Sequence, residues 1–367
     1  MSILHVVSCS TGKDSVATLK VAIERFGIKR VRGILCDTGN EHEYVFEHRQ
    51  YLERVTGVQI VILTANFDEE IAAKRMFIAR DRRSRRIYET KPIFEADGTT
   101  PVPKHDGCGN IVTQRVRRAG EYVHEPVQKT VKIGSGRRAR WTNKAKRRAL
   151  AVLRPSGNPF LDLCMWKGRF PSRKAQFCTE HLKRDMAVAY QLELIEQGHT
   201  VVSWQGVRRD ESLNRRNVKK FERLDAHLYV FRPLVDWTAE QVFAYAAKHE
   251  IEPNPLYKCG MNRVGCMPCI NASKAEVKEI AIRFPEHVER IADWEKKVGA
   301  CSKRQAATFF PAPSRGKAFN DRRAYAKSND VHAVVEWSKT SHGGRQYSLL
   351  DTLIDPAECS SSYGLCG

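Results

Sequence analysis

The sequence predicts an α/β protein: an open, doubly wound, mostly parallel sheet with a basic, hairpin-rich insertion and a Cys-rich C-terminal region. Three observations predict it. Short apolar runs alternate with helix-period segments through the first 63 residues, the pattern of parallel βαβ units. Between about 87 and 154 that alternation gives way to Gly-, Pro- and Lys-rich turns around short runs, and then it resumes. Seven of the 11 cysteines lie from Cys178 onward.

In order, residues 3–7 form an apolar run that stops at a Ser/Thr/Gly loop. An amphipathic helix follows from about 14 to 26, its apolar positions Val16, Leu19, Val21, Ile23 and Phe26. Residues 31–36 read as a second buried strand, 43–56 as a helix and 58–63 as a third strand. In the insertion, 111–116 and 127–133 alternate like hairpin strands. Beyond it a helix is expected over about 179–197, a strand over 200–205 and a helix over 239–248. Past Cys301 the chain is polar and Gly/Ser-rich. The domains expected are 1–86 with 155–300 as the nucleotide-binding part, 87–154 as the insertion, and 301–367 as an extension with a cysteine-bearing tail.

Composition narrows the function classes. With 367 residues and 42% hydrophobic content a sizeable core is available. No stretch approaches the 18 or so apolar residues of a membrane span, and no signal segment opens the chain, so a cytoplasmic location is expected. Residues 80–154 hold 20 Lys/Arg against 7 Asp/Glu, a net of +13 out of +20 for the whole chain. A block of this kind favours a polyanion, with Arg137, Arg138, Arg140, Lys144, Lys146, Arg147 and Arg148 as the candidate nucleic-acid contacts.

The loop Ser8-Cys9-Ser10-Thr11-Gly12-Lys13-Asp14-Ser15 falls between a strand and a helix, where free N–H groups and the helix dipole favour a phosphate. Gly12 admits close approach, Lys13 offsets phosphate charge, and the hydroxyls of Ser8, Ser10, Thr11 and Ser15 add donors. Asp14 can cap the helix or, with Mg²⁺, orient a pyrophosphate. It is not a Walker A loop. Cys259, Cys266 and Cys269 place three thiols in eleven residues, and Cys178 sits at a helix start. Together they offer four thiolates to zinc or an iron–sulfur cluster, and spacing does not choose between them.

The loop resembles the PP-loop, Ser-Gly-Gly-Lys-Asp-Ser, of the ATP pyrophosphatase (adenine nucleotide alpha-hydrolase) superfamily, with Cys9-Ser10-Thr11-Gly12 replacing its Ser/Gly core. Cys36-Asp37-Thr38-Gly39-Asn40-Glu41 and Gly206-Val207-Arg208-Arg209-Asp210-Glu211-Ser212, followed by Arg215, resemble two segments of the phosphoadenosine phosphosulfate reductase family. The resemblance spans roughly 3–80 and 158–290. It implies ATP or phosphoadenylyl sulfate bound with Mg²⁺ by the loop, by Asp37, Thr38 and Gly39, and by Gly206, Arg208, Glu211 and Arg215, with Lys13 and Asp14 catalytic.

Cluster-containing adenylyl-sulfate reductases hold a 4Fe–4S cluster between an upstream Cys pair and a downstream C-x-x-C. This chain has one upstream cysteine, Cys178, and an extra Cys259, an arrangement similar to DNA phosphorothioation-type members. The resemblance favours a 4Fe–4S cluster over zinc. Glu358-Cys359 resembles the family's C-terminal Glu-Cys-Gly nucleophile segment, although Ser360 replaces the glycine and Cys366 is additional. Such a tail can resolve a disulfide or exchange sulfur with a donor or thiol reductant protein. The function expected is a PP-loop ATP pyrophosphatase that adenylates or transfers sulfur to a nucleic acid, DNA or tRNA. The alternatives are a phosphoadenylyl-sulfate or adenylyl-sulfate reductase using a tail cysteine, and a non-catalytic nucleotide-dependent nucleic-acid-binding module.

Overall fold

The computed structural model describes residues 2–118, 121–311, 326, 328–341, 363 and 365, in two compact units: 1–76 with 147–367, and 77–146. The first unit opens with β1 (Ile3–Ser8), α1 (Lys13–Phe26), β2 (Val31–Asp37), α2 (Glu43–Thr56), β3 (Ile60–Thr64) and the start of α3 (Asp68–Arg80). α1 buries Val16, Leu19 and Val21 and stops at Gly27, whose φ of 75° lies outside the comfortable range of other residues. α2 ends the same way at Gly57, in the left-handed conformation usual for a helix stop.

The second unit holds β4 (Ser84–Pro92), β5 (Thr113–Arg118), β6 (Glu121–Pro126) and β7 (Thr130–Arg140), and the first residues of α4 (Asn143–Val152). β4 pairs antiparallel with β7, and β5 with β6. The strands expected at 111–116 and 127–133 are therefore shifted toward the C-terminus. Pro126, which cannot extend a ladder, ends β6, and β7 starts at Thr130.

The first unit resumes through α5 (Pro159–Lys167), α6 (Phe177–Thr179), a π-helical turn over Glu180–Arg184, α7 (Asp185–Glu196), β8 (Thr200–Trp204), β9 (Phe221–Asp225), β10 (Leu228–Phe231), α8 (Ala239–Lys248), α9 (Lys274–Arg283), α10 (Pro285–Cys301) and α11 (Val331–Ser338). The sheet order is β3-β2-β1-β8-β10-β9, parallel throughout except for β9 on β10. The chain winds outward from β1 in one direction and from β8 in the other. The strand order therefore reverses between these two, the place where such sheets bind ligands at their carboxyl ends.

Leu4, Val6, Ile34, Leu194, Val201 and Leu228 form a core cluster around these strands. Trp204 is buried and donates its indole N–H to His5 Nδ1 at 3.0 Å, which satisfies a polar group that burial would otherwise strand. The region beyond Cys301, expected to be polar throughout, contributes α11, with Val331, Val334 and Val335 buried. Glu295 on α10 fixes this part by accepting the N–H groups of Phe309 (2.7 Å) and Val331 (3.0 Å). Among the described residues no helix is long and apolar enough to cross a membrane.

Candidate functional site

The loop at the end of β1 takes its shape from a few contacts. Thr11 is fully buried at φ 59°, a backbone state unusual for a β-branched residue, and its hydroxyl receives a hydrogen bond from Asn254 Nδ2 at 3.2 Å. Gly12 is the N-cap of α1 and makes no side-chain cap bond. Ser15 Oγ donates to the Gly12 carbonyl at 2.8 Å and lies 3.5 Å from Ser10 Oγ. Ser8 ends β1 directly before the turn. Cys9, where the resemblance has a small residue, is buried, and burial pushes its thiol up to about 11. It is a packing residue and not a thiolate.

Lys13 is held by aromatic rings. Its ammonium lies 4.9 Å from the Tyr363 ring centroid, 5.6 Å from Tyr257 and 6.0 Å from Phe243, and 3.4 Å from the Tyr363 hydroxyl. Its backbone N–H donates to the Tyr257 hydroxyl at 2.9 Å. Two donors of the loop thus rest on phenol oxygens. None of these three rings was legible as a site residue, because each lies far from the loop in sequence and belongs to no motif.

Asp14 does not cap the helix, as the sequence reading allowed. Its carboxylate takes Arg208 Nε at 2.5 Å and lies 3.6 Å from Lys13 Nζ. Arg208 is 4% exposed and also meets Asp210 at 2.6 Å. Arg208 therefore braces the loop from within the protein. Glu211 forms an ion pair with Arg215, as a residue holding an arginine in place would. Arg215 is half-exposed, as is Arg209, which is held by Asp236 and the Val218 carbonyl. Gly206 explains the tight fit: a Cβ there would come 2.8 Å from the Asp14 carbonyl carbon and oxygen.

At the end of β2, Asp37 Oδ1 accepts the Gly39 N–H at 2.7 Å. Gly39 has φ 75° and no room for a Cβ against Asn158 and Pro159. Thr38 gives both its N–H (3.0 Å) and its hydroxyl (2.7 Å) to Glu41. This segment is stapled to the cysteine turn. Met267 N–H donates to Asn40 O at 2.7 Å, Asn40 Nδ2 donates to Pro268 O at 2.9 Å, and Arg290 bridges Asn40 and Met267.

The four thiols are not equivalent. Cys178, in the first turn of α6, has Cys269 as an electrostatic neighbour, and Cys269 in turn neighbours Cys266. Cys266 is buried, pushed up to about 12 by burial, with Lys183 from the π-helical turn as its nearby cation. Lys183 is pushed up by Cys266 first and by Glu41 after it. Cys259 has a different electrostatic setting: burial raises it, and its charged neighbours are Arg283 and Glu279 on α9.

Four thiolates on zinc would sit about 3.8 Å apart, from a Zn–S bond of about 2.3 Å. Among the described residues, His42, Glu286 and His287 make up the one group of three or more donors within 4.8 Å of one another. That trio suits a cation poorly. His42 Nδ1 already accepts the Tyr44 N–H at 3.1 Å, and the Arg290 guanidinium lies 2.7 Å from His287 Nδ1.

The basic candidates divide as well. Arg137, Arg138 and Arg140 lie on β7, and Lys144, Lys146, Arg147 and Arg148 on α4. Arg138, Arg140, Lys144 and Arg147 are exposed. Lys146 donates to the Ala79 carbonyl at 3.0 Å. Arg148 is turned inward, its Nε and Nη2 buried without a partner, so it is withdrawn from the expected surface. Cys359 and Cys366 lie outside the described residues.

The model of the phosphoadenosine phosphosulfate reductase domain matches residues 4–272. The chain belongs to this family. An uncharacterized 37.8 kDa protein of Escherichia phage 186 is 38% identical over 379 aligned positions, covering 100% of this chain and 97% of that protein. Adenosine 5'-phosphosulfate reductases match over a shorter stretch. That of Deinococcus radiodurans is 42% identical over 66 residues, covering 18% of this chain and 26% of its own length. A phosphoadenylyl-sulfate reductase from Candida auris, in a phosphate complex, aligns with 73% of this chain and 83% of its own at 13% identity and a TM-score of 0.36. Membership in the reductase-domain family supports adenine-nucleotide binding and sulfur-related chemistry.

Proposed function

We propose that the protein binds ATP at the loop of residues 8–15 and uses it for adenylation of, or sulfur transfer to, a nucleic acid. The observation that carries this reading is the meeting of Lys13, Asp14 and the Gly206–Arg208 segment at the carboxyl ends of β1 and β8, in a chain whose other unit carries 17 Lys/Arg against 7 Asp/Glu. Lys13 and Arg215 would meet the phosphates, while Arg208, fixed by Asp14 and Asp210, would keep the loop in register. An acceptor oxygen attacks the α-phosphorus in line, and pyrophosphate leaves with the electron pair of the broken bond. A sulfur nucleophile then displaces AMP. Positioning and charge neutralisation would supply most of the acceleration. Mg²⁺, held with the carboxylates of Asp14 or Asp37, would neutralise charge on the leaving pyrophosphate.

Cys178, Cys266 and Cys269 are the thiols whose placement suits a shared 4Fe–4S cluster, with Lys183 as a counter-charge to its anionic thiolates. The cluster would supply electron transfer or electrostatic activation when bound.

The match to adenosine 5'-phosphosulfate reductases favours a second reading, in which a tail cysteine attacks the sulfonate sulfur of adenylyl or phosphoadenylyl sulfate. One assay separates the two. Anaerobically purified protein is given labelled ATP, adenylyl sulfate or phosphoadenylyl sulfate, with and without DNA or tRNA. Pyrophosphate release that depends on nucleic acid is the expected result. Sulfite release abolished by Cys359→Ser would replace this reading with the reductase. Nucleotide binding with no turnover would leave a non-catalytic binding module.

A further inference from the structure

The two antiparallel ribbons of the second unit place their charges by strand register. On β4, residues 84, 86, 88 and 90 alternate onto one face. Their partners on β7 place Ser84 opposite Arg140 and Arg86 opposite Arg138 and, past a register shift between Arg86 and Tyr88 that bulges β7, Tyr88 opposite Gly134 and Thr90 opposite Lys132. Two arginines directly across a ladder repel each other. Among the described residues Arg86, Lys132, Arg138 and Arg140 have no carboxylate within ion-pair distance. Tyr88, 58% exposed, stands among them, and beside it Gly134 leaves open space.

The acids of these strands register elsewhere. Glu89 pairs with Ile133 on the other face of β4 and β7. On β5 and β6, Glu125 sits opposite Gln114 and Glu121 opposite Arg118, and Arg118 forms an ion pair with Glu125. The alternate face carries Arg115 opposite His124, with the Arg115 guanidinium 3.9 Å over the Tyr122 ring. On β4/β7 the one strand carboxylate, Glu89, lies on the same face as Lys91, while Arg86, Lys132, Arg138 and Arg140 lie on the face without a carboxylate; on β5/β6 Glu121 and Glu125 share the face opposite Arg115.

We propose that the β4/β7 ribbon lays its Arg86, Arg138, Arg140 and Lys132 face into the major groove of duplex DNA. This rests on the nucleic-acid reading given above and names its substrate class. The B-form major groove, about 12 Å wide, admits a two-stranded ribbon, whereas the A-form RNA groove is too deep and narrow. The 11 residues of β7 span roughly 37 Å at about 3.4 Å each, close to one turn of the duplex. Single-strand binders rely on rows of stacking rings, and this face offers Tyr88 alone among its described residues.

Fluorescence anisotropy of the full-length protein tests the proposal, with labelled duplex DNA, one of its strands alone, and duplex RNA of equal length, each across a salt series. The Arg86→Ala/Arg138→Ala double variant should bind duplex DNA about tenfold or more weakly, with the salt slope reduced by about 2. Its melting temperature should hold or rise, because a like-charge pair has been removed. Arg118→Ala, on the separate β5/β6 ribbon and ion-paired with Glu125, should leave affinity unchanged. If the double variant binds duplex DNA like the parent, the ribbon is not the contact, although the nucleic-acid reading survives. A parent that prefers single strands or RNA overturns the duplex assignment alone. A parent that binds none of the probes removes both.

Discussion

Lys13 shows how a single side chain can be built for one ligand and rest on another group. Its ammonium lies among Tyr257, Phe243 and Tyr363, and the Tyr363 hydroxyl, 350 residues away in sequence, both approaches Lys13 and donates to Asn262 O at 2.8 Å. Contacts of this kind contribute about 0.5–1 kcal/mol at partly exposed positions. A nucleotide phosphate would take the same ammonium. Tyr363→Ala should therefore tighten ATP binding by about two- to fivefold, and Tyr363→Phe, which keeps the ring, should do so by less. Titration calorimetry measures both variants. Weaker binding in Tyr363→Ala would instead make Tyr363 a ligand to the nucleotide.

Between elements, the decisive contact is that of the segment leaving β8 with the first turn of α1. Gly206 lets the two backbones meet, and an alanine Cβ there would sit 2.8 Å from Asp14 C and O, with no flexible side chain to yield. Gly206→Ala should destabilise the fold by about 1–3 kcal/mol and weaken ATP binding together, since the loop must shift. Urea denaturation and nucleotide titration check the two effects, and an unchanged protein would mean that the loop relaxes freely. This contact marks how far sequence reading reached. The strand–loop–helix order and the parallel sheet were legible because local pattern carries them, and motif singled out Asp14, Asp37, Arg208 and Glu211 as site candidates. Local pattern does not encode long-range partnership, so the inward turn of Arg148 and the bracing of Asp14 by Arg208 were not legible. Nor was the β9/β10 hairpin, whose Phe221 and Leu224 lie exposed on an edge strand without the alternation a buried face imposes.

At the scale of the whole molecule, buried titratable groups pull stability in opposite directions with pH. His5 and His287 are both pushed down to about 4, by burial first and then by Arg30 and Arg290 respectively. From about 6.5 down to 4 the unfolded chain takes up protons there that the folded chain refuses, so stability falls as pH falls. Glu295 behaves in the opposite sense. Burial pushes it up to about 7, even though the N–H groups of Phe309 and Val331 favour its ionised form. Between about 4.5 and 7 the folded chain keeps a proton that the unfolded chain releases, so this contribution falls as pH rises. The two trends overlap and partly cancel between about 4.5 and 6.5. Glu295→Gln retains an acceptor for the two N–H groups and removes the titration. Its unfolding free energy, followed by urea denaturation from pH 4.5 to 7.5, should therefore rise with pH more steeply than the parent's, by up to about 1.4 kcal/mol per pH unit within that window. Parallel curves for the two proteins would mean that Glu295 is ionised in the folded state, with the Phe309 and Val331 amides outweighing its burial.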